Sequence, residues 1–237
     1  MAHYLIEFRL MGFAKKYSQG LIREISGKFR VRGMKDKVSH ISLYGPFTTN
    51  NEKRMVSEIH SLCRKYDRIY FSFKRFNYFN NPKNKVIYLD VSPSEQLKQF
   101  RYELSSKLRG ITTSNSNEDK KSKDSFEFHS TIAFKDIDYK FNAIWSHLSK
   151  KSVPNIRQTL LRVTIIKNRK ILYEYDFLQK MLLNRSQALN KDIWRRTISI
   201  LRQKSYPQTI KTPAISTKQI NFLEKIKAFF TKNDARK

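Results

Sequence analysis

The feature that most constrains the fold of this chain is an order of predicted elements that occurs twice. Apolar periodicity and turn residues predict the same series of strand, helix, strand, helix and strand in each half. In the first half these elements cover 3–10, 14–29, 38–44, 50–66 and 69–76. In the second half they cover 85–91, 93–109, 126–134, 141–148 and 159–168, with a further strand over 170–177. The repeat predicts an α+β fold with two pseudo-symmetric β-sheet lobes, flanking helices and a central cleft.

The repeat also predicts how the chain divides. We expect one two-lobed domain over 1–183, with lobes at roughly 1–80 and 81–183 that are free to exchange strands. A basic helical C-terminal extension follows over 184–237, and its apolar stripe is Ile193, Trp194, Thr197, Ile198 and Leu201. A last helix is predicted from Ser216. We favour helices that pack on the lobes. The alternative is an independent RNA-binding arm, because 184–237 carries 13 basic and 3 acidic side chains and a basic segment attracts nucleic acid.

Each half carries the same short motif on its middle strand. The first copy reads HISL from His40 and the second reads HSTI from His129. Alternate residues of a strand share a face, so His40 and Ser42 project together, as do His129 and Thr131. If the two strands face each other, two imidazoles and two hydroxyls line one cleft.

This set of side chains suits phosphoryl chemistry. An imidazole can accept or release a proton near pH 7, so one histidine can deprotonate a water while the other protonates the departing oxygen. Ser42 and Thr131 can donate hydrogen bonds to the phosphate oxygens. A lone histidine of this kind is more often a packed residue, but two copies at matched places favour catalysis. Because the sequence has no HExxH or Cys-x-x-Cys motif, we expect no metal and no other cofactor.

The two motifs, together with "YGPF", "FNYFNNPKNKVIYLDVSP" and "RKILYEYDF", resemble the two-histidine (2H) phosphoesterases, in particular the 2′-5′ RNA ligase-like branch. The resemblance covers roughly residues 3–178. It implies metal-free opening of a 2′,3′-cyclic phosphate at an RNA end, often leaving a 2′-phosphate. By motif position it implies that His40 and His129 are the catalytic pair, with His129 as base and His40 as acid. It also implies that Thr131 and Ser42 bind phosphate, although the family more often has threonine in the place of Ser42.

Three classes of function stay open at this point. The first is the RNA 2′,3′-cyclic phosphodiesterase. The second is an enzyme of the same mechanism with another substrate, either a 2′-5′ oligonucleotide phosphodiesterase or a 2′-5′ RNA ligase. The third is a non-catalytic RNA-binding protein on the same scaffold, against which the two intact histidine motifs argue.

The charge of the chain points to a polyanionic partner. The 48 Lys and Arg residues against 20 Asp and Glu give a formal net charge of +28, which attracts nucleic acid, although a basic surface can also serve solubility alone. We therefore expect an RNA longer than one nucleotide, with a cleaved tRNA end as one candidate. Arg30 and Arg32, before the first motif strand, and Tyr44, after the first motif, are candidate substrate contacts. Further candidates lie in the polar stretch 112–125, which is predicted to be a mobile loop: Lys120, Lys121 and Lys123.

Location and assembly are constrained more weakly. No run of 18 apolar residues occurs, so we expect no membrane span, and we interpret the start of the chain as a strand and not a signal peptide. The single cysteine, Cys63, excludes an internal disulfide framework and favours a cytoplasmic location. We expect a monomer.

Overall fold

The computed structural model describes residues 1–81 and 84–205, which form an α+β fold with two antiparallel sheets. The strands are β1 Tyr4–Arg9, β2 His40–Thr48, β3 Ile69–Asn81, β4 Asn84–Pro93, β5 Thr113–Ser114, β6 His129–Phe134, β7 Arg157–Leu160, β8 Arg162–Lys167, β9 Lys170–Asp176 and β10 Met181–Asn184. The helices are α1 Gly12–Phe29, α2 Glu52–Arg64, α3 Glu95–Arg109, α4 Phe141–Ser149, α5 Arg185–Leu189 and α6 Lys191–Ser205. Residues 1–197 form one compact unit, which holds the features described below.

The two sheets exchange strands between the predicted lobes. One sheet has six strands in the order β10-β9-β8-β1-β2-β5, and the other has four in the order β6-β4-β3-β7. Strand β3, predicted to end the first lobe, pairs with β4 of the second, and β8 of the second pairs with β1 of the first. Each motif strand pairs antiparallel with the strand that opens its own half, β2 with β1 and β6 with β4. The predicted α+β class with two sheets is confirmed, and pseudo-symmetry stays a prediction.

Two of the differences between predicted and observed strands change the pairing of the sheets. The segment 159–168 is split at Leu161, so that β7 lies in the four-stranded sheet and β8 in the six-stranded sheet. Strand β2 runs through the predicted Gly45-Pro46 turn to Thr48. Gly45 has φ +104°, which favours glycine, and a Cβ there would lie 3.0 Å from the Tyr4 carbonyl oxygen. Register shifts in β1 opposite this point let the pairing continue past it.

The polar stretch 112–125 is anchored, so the prediction of a mobile loop is wrong. Its strand β5 pairs with the end of β2, and a 3₁₀ turn follows over Asn117–Lys120. The buried Asp119 carboxylate accepts hydrogen bonds from the Gly45 N–H and from the Ser114 hydroxyl. The fully buried Arg101 guanidinium donates to the carbonyl oxygens of Glu118 and Lys121. Buried polar contacts replace the apolar ones that the sequence of this segment lacks.

The motif strands alternate between core and cleft as predicted. Ile41, Leu43 and Ile132 are almost wholly buried in the hydrophobic core. Ser130, the polar residue at a core-facing position, is fully buried as well, and its hydroxyl has no hydrogen-bond partner among the described residues. The apolar faces therefore fix which side of each strand is left for the site.

The start of the predicted extension belongs to the same compact unit as the two sheets. The helix predicted around Trp194 is confirmed as α6, and Thr197 on it is fully buried. The predicted boundary at 184 stays a prediction, and the helix predicted from Ser216 lies outside the described residues. Among the helices that the structure describes, none is long and apolar enough to cross a membrane.

Candidate active site

The site is built where the two motif strands meet. Strands β2 and β6 come from different sheets and lie in contact, and each begins with its motif histidine. Antiparallel pairing sets Arg9 opposite His40 and Asp90 opposite His129. The charge of His40 acts on His129 and contributes to lowering its pKa, so the two imidazoles lie within electrostatic reach of each other.

The two histidines have the same local geometry. The His40 Nδ1 lies 2.7 Å from the carbonyl oxygen of Val38, and the His129 Nδ1 lies 2.8 Å from that of Glu127. A carbonyl oxygen can only accept, so each Nδ1 carries the hydrogen and donates it to the residue two positions earlier. In the neutral form this leaves Nε2 unprotonated on both rings. The same nitrogen of each imidazole is thus available for proton transfer.

Two aromatic rings lie close to His129. The rings of Phe79 and Tyr88 each lie 5.1 Å from the His129 ring, measured between centroids. Burial is the main reason that the pKa of His129 is lowered from the ordinary imidazole value, because a charged ring loses hydration there. The hydrogen bond to the Glu127 carbonyl oxygen and the charges of Glu118 and Glu127 oppose this effect without cancelling it. His129 is therefore held in its neutral form at neutral pH.

The surroundings of His40 are ionic. The Glu7 Oε2 lies 3.7 Å from the His40 Nε2, so the two form an ion pair when His40 is protonated. The other carboxylate oxygen of Glu7 accepts a hydrogen bond of 2.9 Å from the Arg9 Nε. Glu7 is buried at 4% exposure, which fixes this carboxylate beside the imidazole. The paired motifs thus carry two histidines in different electrostatic settings.

The motif hydroxyls are free to bind a ligand. Ser42 and Thr131 are half-buried and share the faces of His40 and His129, because the buried positions between them alternate as in a regular strand. Within the part of the chain that the structure describes, neither hydroxyl has a hydrogen-bond partner. Both can donate to an oxygen placed between the strands.

A cavity of about 690 Å³ opens beside His40. Glu7 lies in its lining together with three basic side chains, Arg9, Lys37 and Arg169. Sequence reasoning missed these three. Arg9 follows from strand pairing, since it is the register partner of His40, and Lys37 comes three residues before that histidine. Arg169 lies in the turn between β8 and β9. The pairing of β8 with β1, which no local sequence signal reveals, brings this turn to the cavity.

Comparison with protein families identifies the superfamily of the chain. Residues 16–171 match the family model described as the 2′-5′ RNA ligase superfamily, and this span contains both histidine motifs. The chain belongs to the 2′-5′ RNA ligase superfamily. The predicted membership among two-histidine phosphoesterases is confirmed, and it supports an enzyme that acts on RNA phosphodiester bonds.

Among solved structures, this superfamily member is similar to Usb1 from Kluyveromyces marxianus. The structure of that protein with uridine monophosphate shares 11% identity at a TM-score of 0.48, covering 77% of this chain and 98% of that one. A second structure of the same protein shares 10% identity at a TM-score of 0.45, covering 77% and 97%. No curated protein matches the sequence.

The other contacts predicted for this superfamily member lie apart from the His40 cavity. Arg30 and Arg32 are exposed, but neither lines that cavity, and the Arg32 N–H donates to Asp136 across 2.6 Å. Tyr44 is only 3% exposed, and its hydroxyl lies 2.8 Å from the Thr112 hydroxyl. Contacts of these residues with substrate stay predictions.

Two of the three candidate lysines in the polar stretch form ion pairs. Lys121 forms an ion pair of 2.8 Å with Glu118, and Lys123 forms one of 3.1 Å with Glu95, while Lys120 is exposed. Their predicted role at the substrate stays a prediction. Within residues 1–81 and 84–205, no three His, Cys, Asp or Glu side chains are grouped to hold a metal ion.

Proposed function

We propose that this chain is a metal-independent phosphodiesterase that hydrolyses 2′,3′-cyclic phosphate ends of RNA to a 2′-phosphate. The observation that carries the proposal is the pair of motif histidines on touching strands, both with Nε2 free of the backbone. Hydrolysis of a cyclic phosphate suits this arrangement. A base deprotonates the attacking water on one side of phosphorus, and an acid protonates the departing ester oxygen on the other side.

In the proposed reaction, His129 is the base and His40 is the acid. The His129 Nε2 takes a proton from water as the water oxygen bonds to phosphorus, which its lowered pKa supports because the ring is neutral at pH 7. The P–O3′ bond breaks, and protonated His40 gives the Nε2 proton to the departing 3′ oxygen. The Glu7 Oε2 lies 3.7 Å from this Nε2 and is its ion-pair partner when His40 is protonated. Ser42 and Thr131 donate hydrogen bonds to the two non-bridging oxygens.

The proposed substrate is an RNA strand, for which a cleaved tRNA end is one candidate. The formal net charge of +28 supports a strand over a single nucleotide, because one phosphate needs far fewer cations. The protein is proposed to act as a monomer in the cytoplasm.

A second candidate follows from the family description, which names a 2′-5′ RNA ligase. With a 5′ hydroxyl in place of water, the base would take the hydroxyl proton as its oxygen bonds to phosphorus, the P–O3′ bond would break, and the acid would protonate the 3′ oxygen, which leaves a 2′-5′ linkage. The reverse of this step would cleave a 2′-5′ oligonucleotide.

One substrate panel tests these candidates. The pure protein, with a chelator present, is incubated with a cyclic-ended oligonucleotide, a cyclic mononucleotide, 2′-5′ oligoadenylate, and a cyclic end mixed with a 5′-hydroxyl strand. We expect turnover of the cyclic ends with a 2′-phosphate product, and loss of that turnover in His129→Ala. Cleavage or formation of 2′-5′ linkages, without hydrolysis of the cyclic ends, would reject this proposal and support the second candidate. RNA binding without turnover of any substrate would leave the non-catalytic alternative.

A further inference from the structure

A second cavity of about 400 Å³ lies beside the His40 cavity, and the two linings share Arg9 and Val38. Its volume falls in the range of small-molecule sites. Part of its wall comes from α5 and α6, which lie beyond the segment 16–171 that matches the superfamily. The chemistry of this cavity is therefore not explained by the family motifs.

The wall is built around an aromatic ring that a buried network holds in place. The Arg162 guanidinium lies 4.9 Å from the centroid of the Trp194 ring. Arg162 is 2% exposed and donates to Asp176 across 2.9 Å and to the Thr197 hydroxyl across 3.0 Å. Trp194 itself is half-buried and lines the cavity. Because one side of the indole is fixed by Arg162, the ring is a preorganised apolar surface.

The charge of the cavity is positive. Lys15 from α1 and Lys191 from α6 line it, both are exposed, and neither forms an ion pair within the described ranges. The carboxylate in the lining, Glu174, is bound by Arg162 across 3.3 Å, and Arg162 also binds Asp176. Arg9, whose Nε is paired with Glu7, lies on the side shared with the His40 cavity.

We propose that this cavity is a second nucleotide subsite, which binds a base of the RNA substrate against Trp194 and the adjoining phosphate through Lys15 and Lys191. Single-stranded RNA is held by this pairing of an aromatic surface with cations, and stacking tolerates any base. Arg9 lies in both linings, so it can contact the strand where it passes from one cavity to the other. The subsite rests on the proposed function, since its occupant is a neighbour of the nucleotide at the histidines.

The kinetic test compares a 2′,3′-cyclic mononucleotide with a cyclic-ended dinucleotide and hexanucleotide. Trp194→Leu keeps an apolar side chain over Arg162 and removes the stacking surface. It should lower kcat/KM for the two oligonucleotides by about 5- to 100-fold, the range measured for loss of one stacked base, and change the mononucleotide by less than about twofold. Equal losses on all three substrates, or no loss on the oligonucleotides, would overturn the subsite.

The two lysines are tested by salt dependence. Lys15→Gln with Lys191→Gln should make the log–log slope of hexanucleotide binding against salt shallower by about 0.7, the contribution of the one phosphate that both lysines bind on a single strand. Lys53→Gln is the matched control, because Lys53 is exposed on α2 and lines neither cavity. A slope that stays as steep as that of the control variant would overturn the phosphate contact.

A binding readout separates the subsite from the reaction. The chain has two tryptophans, so a Trp145→Phe background leaves Trp194 as the fluorescent one. A hexanucleotide with a non-cyclic 3′-phosphate should quench this fluorescence in a saturable way, and a mononucleotide should not. Quenching without turnover of any cyclic substrate would keep the subsite and reject the proposed function. Turnover without quenching would reject the subsite alone.

Discussion

At the scale of single residues, the two histidines share a tautomer and differ in what surrounds them. His40 faces the Glu7 carboxylate, while His129 lies against the rings of Phe79 and Tyr88. A repeated motif therefore does not imply repeated roles. This difference supports the proposed roles of His40 as the acid and His129 as the base.

Replacing either histidine tests whether both act in the reaction. His40→Ala and His129→Ala should each lower kcat by about 10²–10⁴-fold, the usual contribution of a general acid or base. Ser42→Ala should lower it less, because it removes one hydrogen bond to a charged group, worth about 1.5–3 kcal/mol. His60→Ala is the control, since His60 contacts the ring of Tyr175 on the side of the core. Full activity in either motif variant would reject the pair.

The apolar cover of His129 predicts a change in pH dependence. A base must be neutral, and burial lowers the pKa of His129, so the acid limb of kcat/KM should lie below the ordinary imidazole value of about 6.5. Phe79→Ala admits water, raises this pKa and should move the acid limb to higher pH. Phe79→Leu keeps the apolar cover and should leave the limb in place. Identical limbs in the wild type and Phe79→Ala would show that another group is the base.

At the scale of elements, the segment before β6 is held by buried polar groups. Asp119 binds the Gly45 N–H of β2, and Arg101 of α3 binds the carbonyl oxygens around Asp119. These bonds connect the end of β2 to the segment that precedes β6. Its role is to hold in place a segment that leads into His129.

Asp119→Ala removes the carboxylate that accepts hydrogen bonds from the Gly45 N–H and the Ser114 hydroxyl. It should lower the free energy of unfolding by about 1–3 kcal/mol, the cost of leaving buried donors unpaired. Asp119→Asn keeps one acceptor oxygen and should lose less. Urea unfolding measures the stability, and limited proteolysis at 112–125 measures local opening. Unchanged proteolysis of this segment in Asp119→Ala would show that other contacts anchor it.

The buried Arg162 connects α6 to strands β8 and β9 through its bonds to Thr197, Glu174 and Asp176. Arg162→Met leaves these carboxylates without their cation and should cost about 3–5 kcal/mol of unfolding free energy. The cost should be smaller at pH 5 than at pH 8, because burial raises the pKa of Glu174 and a proton can then replace the missing charge.

The matched control is Arg195→Met on the same helix. Arg195 pairs with Asp192 at the surface, with both side chains more than two-thirds exposed, so its loss should change stability by less than about 0.5 kcal/mol. Equal costs for the two variants, or a cost for Arg162→Met that does not depend on pH, would contradict the role of a buried ion network.

At the scale of the whole molecule, the positive charge predicts salt-dependent binding of RNA. Residues 206–237 carry seven basic and two acidic side chains. If they bind RNA, a chain ending at 205 should bind single-stranded RNA with a log–log salt slope that is shallower by about 0.7 for each phosphate that these residues neutralise. A slope equal to that of the full chain would assign RNA binding to residues 1–205. Truncation at 184 would not be equivalent, because Thr197 is buried within the compact unit.

The sequence by itself determined the local features of this protein. Alternation along a strand is a property of neighbouring residues, so the shared faces of His40 with Ser42 and of His129 with Thr131 could be read from spacing. Helices α1 to α4 and α6 followed from periodicity for the same reason. The repeat of the motif was enough to predict membership of the 2′-5′ RNA ligase superfamily.

Only the tertiary structure decided which distant residues complete the site. Pairing of β1 with β2 and β8 places Glu7, Arg9 and Arg169 beside His40, and β3 carries Phe79 to His129. The split at Leu161 and the anchoring of 112–125 depend likewise on partners far along the chain. The physical reason is that periodicity encodes which face of a strand is buried, whereas its partner and register are set by packing and hydrogen bonding across the whole fold.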